Sequence, residues 1–197
     1  MAEFLICYGT GEGQTARVAD RLAATLRDRG HETTLVDLGA GPPDRPVGSF
    51  DAVLVGASLH YGRHQSSVRA FVRDELAALA ALPTGFFQLS LTSASDDPDA
   101  RAAAAATVES FVEATGWQPD RVCLLGGALR YSQYGFLTRL LMRQIARKEG
   151  GATDTSRDHE YTDWTEVSAF ARDFAAFVEG RLGVAPPERA GGPADEA

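Results

Sequence analysis

The chain has 197 residues, 44% of them hydrophobic and 23% charged, with a formal net charge of −8. That length suits one domain with its own core. No apolar run approaches the roughly 20 residues that span a bilayer, and the acidic balance argues against nucleic acid as the main partner. The basic residues are nearly all arginine, Lys148 being the only lysine; this fits a high-salt cytoplasm and a GC-rich genome equally. The apolar run at 4–8 is too short and too poorly flanked for a signal peptide. A cytoplasmic location is expected, with room for peripheral contact on the inner face of the cell membrane.

Strand and helix patterns alternate along the chain. Strand one covers about 3–8, and helix one 13–29, with Ala16, Ala19, Leu22, Ala23 and Leu26 on one face and Gly30 just beyond its end. Strand two is 32–37, followed by a Gly/Pro-rich connection over 39–48. Strand three, 52–57, is continuously apolar, as when both faces of a sheet are covered. Helix two is expected over 67–82, stopped by Pro83, and strand four over 85–91. Helix three reads 98–115, with Asp97 as N-cap, Pro98 in the first turn and Gly116 ending it. Strand five is 121–125. A long excursion over 130–161 precedes a last helix, 164–181, capped by Asp163.

Five strands alternating with helices predict an α/β fold, an open, doubly wound parallel sheet with right-handed crossovers. The run Thr-Gly-Glu-Gly-Gln-Thr at 10–15, read as a phosphate-binding loop after strand one, favours the flavodoxin-like order 2-1-3-4-5, with a long insertion after strand five. Residues 1–182 are read as one domain. The tail, 183–197, carries three prolines and is expected to be disordered. Cys7 and Cys123 fall on strands three places apart, about 14 Å at the usual strand spacing, too far for a disulfide. They read as reduced core residues rather than catalytic thiols.

The chemistry is expected in the loops. Thr10, Gly11, Glu12, Gly13, Gln14 and Thr15 form a Gly/Thr-rich turn between the first strand and the first helix. A helix N-terminus directs N–H groups and a positive dipole end at an anion. The turn has neither the dinucleotide spacing nor the lysine of a Walker loop. Neutral donors of this kind suit a monophosphate, as flavodoxins hold FMN. The loop after strand three, Ser58, Leu59, His60, Tyr61 and Gly62, offers Tyr61 as a face for a flat isoalloxazine ring; a plain capping loop with a surface tyrosine is the other reading. After strand four, Ser90, Leu91 and Thr92 offer hydroxyls and amides to the ring's edge, or form a simple turn. No metal-ligand spacing and no nucleophile elbow is present, so redox chemistry has to come from a cofactor.

Segment 130–148 reverses the charge of the chain, with four arginines, one lysine and no acid. Read as a helix from Phe136, it sets Leu137, Leu140, Leu141 and Ile145 on one face and Arg139, Arg143 and Arg147 beside them. Such a helix lies on an anionic membrane, binds an acidic substrate, or packs on a sheet edge with its arginines in water.

The runs Gly-Ala-Leu-Arg-Tyr at 127–131, Gly-Gly-x-Thr-Asp-Thr at 150–155 and Tyr-Thr-Asp-Trp at 161–164 resemble those of the flavodoxin-like, quinone-dependent protoporphyrinogen IX dehydrogenases. Glu-Gly-Gln-Thr at 12–15, Gly-Ala-Ser at 56–58, Tyr-Gly at 61–62 and Trp-x-Pro-Asp-Arg at 117–121 agree, so the resemblance spans about 4–177. It implies noncovalent FMN and oxidation of protoporphyrinogen IX to protoporphyrin IX. This is the penultimate step of haem synthesis, with electrons passed to a quinone in three two-electron turns. It implies the phosphate on 10–15, the ring between 58–62 and 90–92, and substrate or membrane contact through the insertion. Arg130, Arg139 and Arg143 are the candidates for pairing with the substrate's two propionates. A flavodoxin-type electron carrier without its own substrate, and a quinone reductase, are the other readings of the same cofactor loops.

Overall fold

A computed structural model describes residues 1–60, 62–95, 97–129 and 159–184. Strands β1 (Glu3–Gly9), β2 (Glu32–Asp37) and β3 (Ala52–His60) come first, with helix α1 (Gln14–Asp28) between the first two. After β3 follow the short β4 (Arg63–His64), helices α2 (Ser66–Asp74) and α3 (Leu76–Ala81), and β5 (Thr84–Ser90). Helix α4 (Pro98–Thr115), β6 (Arg121–Gly126), the short strands β7 (Ala128–Leu129) and β8 (His159–Glu160), and helix α5 (Trp164–Leu182) complete the described elements.

The long strands are parallel in the order β2-β1-β3-β5-β6. Counting them alone, this is the expected 2-1-3-4-5. Successive side chains on a strand point to opposite faces, and the apolar runs supply both. Phe4, Ile6, Leu54, Phe87 and Leu125 face α1 and α5. Leu5, Cys7, Val53, Val55 and Phe86 face α2, α3 and α4. Gly56 lets the Phe87 ring lie flat across β3, since a Cβ there would come within 2.0 Å of Cζ.

Local chemistry sets the helix ends. Asp97 accepts a hydrogen bond from Asp99 N at 3.0 Å, and Asp163 accepts from Thr165 N at 2.8 Å and Glu166 N at 3.2 Å. Two expectations need correction. The helix read over 67–82 is two helices meeting at Glu75, whose backbone (φ −101°, ψ 13°) leaves helical geometry with no Gly or Pro to mark the break. The loop read after strand three is largely strand: β3 runs through Ser58, Leu59 and His60, and β4 folds back on it, Leu59 opposite His64 and His60 opposite Arg63.

The insertion begins and ends on a two-stranded antiparallel ribbon, Ala128 opposite Glu160 and Leu129 opposite His159. The basic helix read from Phe136, with Arg130, Arg139, Arg143 and Arg147, lies outside the described residues, as do Tyr61 and the tail beyond Val184. No helix among the described residues is long and apolar enough to cross a membrane.

Candidate functional site

The loop between β1 and α1 sits at the carboxyl end of a central strand. Gly13, at φ +83°, turns the chain into the helix, and its N–H donates to Thr10 Oγ1 at 2.9 Å. A hydroxyl that accepts in this way keeps its own hydrogen for a ligand. The N-cap residue of α1 makes no side-chain cap hydrogen bond, and the first N–H groups of a helix have no partner within the helix itself. Thr15 Oγ1 is buried there and has no hydrogen-bond partner. An orphaned buried hydroxyl costs roughly 1–3 kcal/mol, and a phosphate oxygen removes that cost. The loop fits a phosphate on this structural ground. Glu12 is a carboxylate and cannot donate, so it and Gly11 can serve a phosphate only through backbone N–H groups.

The Gln14 side chain is buried, and Nε2 donates to Thr162 Oγ1 at 2.9 Å. Thr162 in turn donates to the Gly126 carbonyl at 2.7 Å. Arg17 donates to Gln14 Oε1 at 3.1 Å and lies 5.1 Å over the Trp164 ring.

The second wall is the β3–β4 hairpin. Ser58 Oγ accepts from Gln65 Nε2 at 2.6 Å, while the other end of that amide, Oε1, is buried without a partner. Gln65 packs over Gly9, where a Cβ would lie 3.3 Å from its Cδ. It therefore stands between the phosphate loop and Ser58, a position no local pattern announced. Leu59 is half-buried, and Gly62 at φ +72° makes the hairpin turn. His64 pins the hairpin to the sheet: its Nε2 lies 2.7 Å from Gln88 Oε1, and Gln88 Nε2 donates to the Ala104 carbonyl at 3.0 Å. That second bond fixes the amide's orientation, so His64 carries its proton on Nε2. Its ring packs against Phe111 at 4.7 Å. Burial pushes its pKa below the ordinary histidine value, so the ring is neutral at neutral pH.

The third wall is the turn after β5. Ser90 Oγ lies 2.6 Å from Ser93 Oγ and 3.0 Å from Thr92 Oγ1, and it accepts from Ser93 N at 3.0 Å. Ser90 thus shapes its own loop, leaving the half-buried Leu91 and Thr92 at the surface of the site. Gly127 N donates to the Ser90 carbonyl at 3.0 Å, tying this loop to the root of the insertion.

Both cysteines are free thiols held in buried or half-buried positions. Burial raises the Cys7 thiol far above neutrality and pushes Cys123 up to about 12, so the thiolate needed for reaction is not formed.

The comparisons follow this geometry. A flavodoxin domain matches residues 5–156. The protoporphyrinogen IX dehydrogenase (quinone) of Escherichia coli is 31% identical over 176 residues, 89% of this chain and 96% of that one. The protein of the same name from Leishmania major is 33% identical over 173 residues, 87% of this chain and 74% of that one. Among solved structures, oxidised flavodoxin 1 from Bacillus cereus superposes with a TM-score of 0.52 at 14% identity, covering 89% of this chain and 98% of that one. A WrbA-like flavodoxin from Agrobacterium tumefaciens gives 0.51 at 10% identity, covering 91% and 99%. At such identities these structures speak for the fold alone. The chain belongs to the flavodoxin-domain family and, within it, to the group of the quinone-linked protoporphyrinogen IX dehydrogenases.

Proposed function

We propose that this protein binds FMN and oxidises protoporphyrinogen IX to protoporphyrin IX, passing the electrons to a quinone. The observation that carries the reading is identity above 30% over nearly the whole chain to enzymes of that name, both roots of the insertion included. The flavin, when bound, supplies the two-electron chemistry. Oxidising one porphyrinogen removes six electrons in three turns, each turn reducing one quinone.

The residues have positioning work to do. The hydroxyls of Thr10 and Thr15 would hold the phosphate, with backbone N–H groups of the loop over Gly11, Glu12 and Gln14 beside it, while the Gly13 N–H is engaged by Thr10 Oγ1. The segments Ser58–Gly62 (with Leu59, His60 and Tyr61) and Ser90–Thr92 (with Leu91) flank the ring. Neutral His64 keeps the hairpin in place without adding charge beside it. No general base is assigned, and hydride loss to a flavin asks chiefly for orientation and exclusion of water. Arg130, Arg139 and Arg143 are assigned to the propionates, and the basic stretch 136–148 to peripheral contact with the inner face of the cell membrane.

The runner-up is a flavodoxin-type carrier without its own substrate. Steady-state porphyrin fluorescence separates the two when purified protein, protoporphyrinogen IX and a quinone are mixed. A rise well above the autoxidation blank is expected; no rise from protein holding a reducible flavin would favour the carrier. Chromatography of the released cofactor distinguishes FMN from FAD.

A further inference from the structure

Two runs of the sequence that carry the family resemblance, 12–15 and 161–164, touch in the fold although Gln14 and Thr162 are 148 residues apart. A phosphate role accounts for the N–H of Gln14 and leaves its side chain unexplained. That side chain is 5% exposed and Thr162 is 9% exposed, so their bond is shielded from water. The polarity of the chain is fixed, because Thr162 has a single hydroxyl hydrogen: Gln14 Nε2 donates to Thr162, and Thr162 donates to the Gly126 carbonyl.

Gly126 is the last residue of β6 before the insertion, and Thr162 follows β8 on the way back. One hydrogen-bonded strut therefore joins the outgoing root, the returning root and the first turn of α1. Trp164, two residues on, lies under Arg17 of the same turn. The roots hold each other through Tyr161 N to the Gly127 carbonyl at 3.0 Å, and Gly127 N reaches Ser90 in the third wall. The stem of the insertion is thus wedged between two of the three loops that form the site.

We propose that Gln14 and Thr162 are positioning residues: their bond aims the phosphate-binding first turn of α1 from the roots of the insertion, so that cofactor affinity depends on how those roots are seated. This rests on reading the β1–α1 loop as the flavin's phosphate site. The physical reason is that a phosphate needs several N–H donors converging within a few tenths of an ångström. The first turn has no side-chain cap of its own to hold it there.

The test is the ratio of riboflavin to FMN dissociation constants, because riboflavin lacks the phosphate. Thr162→Val keeps the shape and strands Gln14 Nε2 and the Gly126 carbonyl. FMN is expected to bind about tenfold more weakly, with riboflavin changed by less than about twofold. Gln14→Met breaks the same bond from the other end and carries the test where Thr162→Val does not fold. The double variant is expected to be no worse than the weaker single, since both break the same Gln14–Thr162 bond. Thr162→Ser keeps the hydroxyl and is expected to restore binding to within about twofold. A merely structural role would lower thermal stability and leave the flavin ratio in place. An unchanged ratio in Thr162→Val or Gln14→Met, or additive effects of the two, overturns the inference alone. A wild-type protein that binds neither flavin overturns the reading beneath it as well.

Discussion

Two polar clusters at opposite ends of the parallel sheet are built on different terms. At the amino end, the groups around Glu179 are paired with each other. Ala2 N donates to His31 Nδ1 at 3.2 Å, which leaves the proton on His31 Nε2 to donate to Glu179 at 2.9 Å. Arg29 grips the same carboxylate with two bonds, at 2.6 and 2.7 Å. At the carboxyl end, Thr15 Oγ1 and Gln65 Oε1 are buried with nothing to bond. Two other orphans, Thr33 Oγ1 near the start of β2 and Trp117 Nε1 ahead of β6, lie towards the amino end, so the pairing there is confined to the Glu179 cluster; the structure offers no account of them. The Glu179 cluster meets its own partners within the fold, whereas Thr15 and Gln65 meet none, which is what the proposed phosphate and ring site would use.

Breaking the paired end should have the largest effect on folding. Glu179→Ala leaves His31 and Arg29 without their shared acceptor and should cost about 3 kcal/mol in urea unfolding. Flavin affinity of the folded protein should not change. A loss of affinity equal to that of a loop variant would erase the distinction between the ends.

Breaking the open end should do the reverse. Thr15→Val removes a hydroxyl that has no partner, so the flavin-free protein should be as stable as wild type or slightly more so. FMN affinity should fall about tenfold as a charge-assisted bond is lost. Calorimetric titration beside a thermal melt reads both quantities. A destabilised apoprotein would mean that Thr15 belongs to the structural set.

The smallest effect is one of pH. The Arg29 hydrogen bonds, helped by His31, hold the Glu179 pKa below its ordinary 4.5. The ionised carboxylate therefore stabilises the fold fully above that ordinary value. The contribution is lost as pH falls through the lower folded-state value. Urea midpoints of wild type and Glu179→Gln should converge below about pH 4.5; a constant gap down to pH 3 would place the acid sensitivity elsewhere.

What was legible in the sequence was local. Asp97, Pro98 and Gly116 mark the ends of α4 because caps and breakers act within one turn, and the run at 52–57 announces a strand covered on both faces. The Gly/Thr-rich loop after β1 was legible for the same reason: the residues that turn the chain into α1, Gly13 among them, are neighbours in the chain. What was not legible depends on distant partners. The β4 strand is two residues long and carries no period. The break at Glu75 has no breaker residue. Gln65 reads locally as a polar residue ahead of an apolar helix, and its place over Gly9 follows only from how α2 packs on β1. His64 finds Gln88 across 24 positions, and Gln14 finds Thr162 across 148. Only the Tyr-Thr-Asp-Trp run hinted at the second of these.

The most direct measurement of the central claim is a single turnover without oxygen. FMN-loaded protein mixed with protoporphyrinogen IX should lose its oxidised-flavin absorbance, and the flavin band should return when a quinone is added, with porphyrin fluorescence growing over repeated turns. A flavin that stays oxidised in the presence of protoporphyrinogen IX, yet is readily reduced by dithionite and reoxidised by the quinone, would contradict the account.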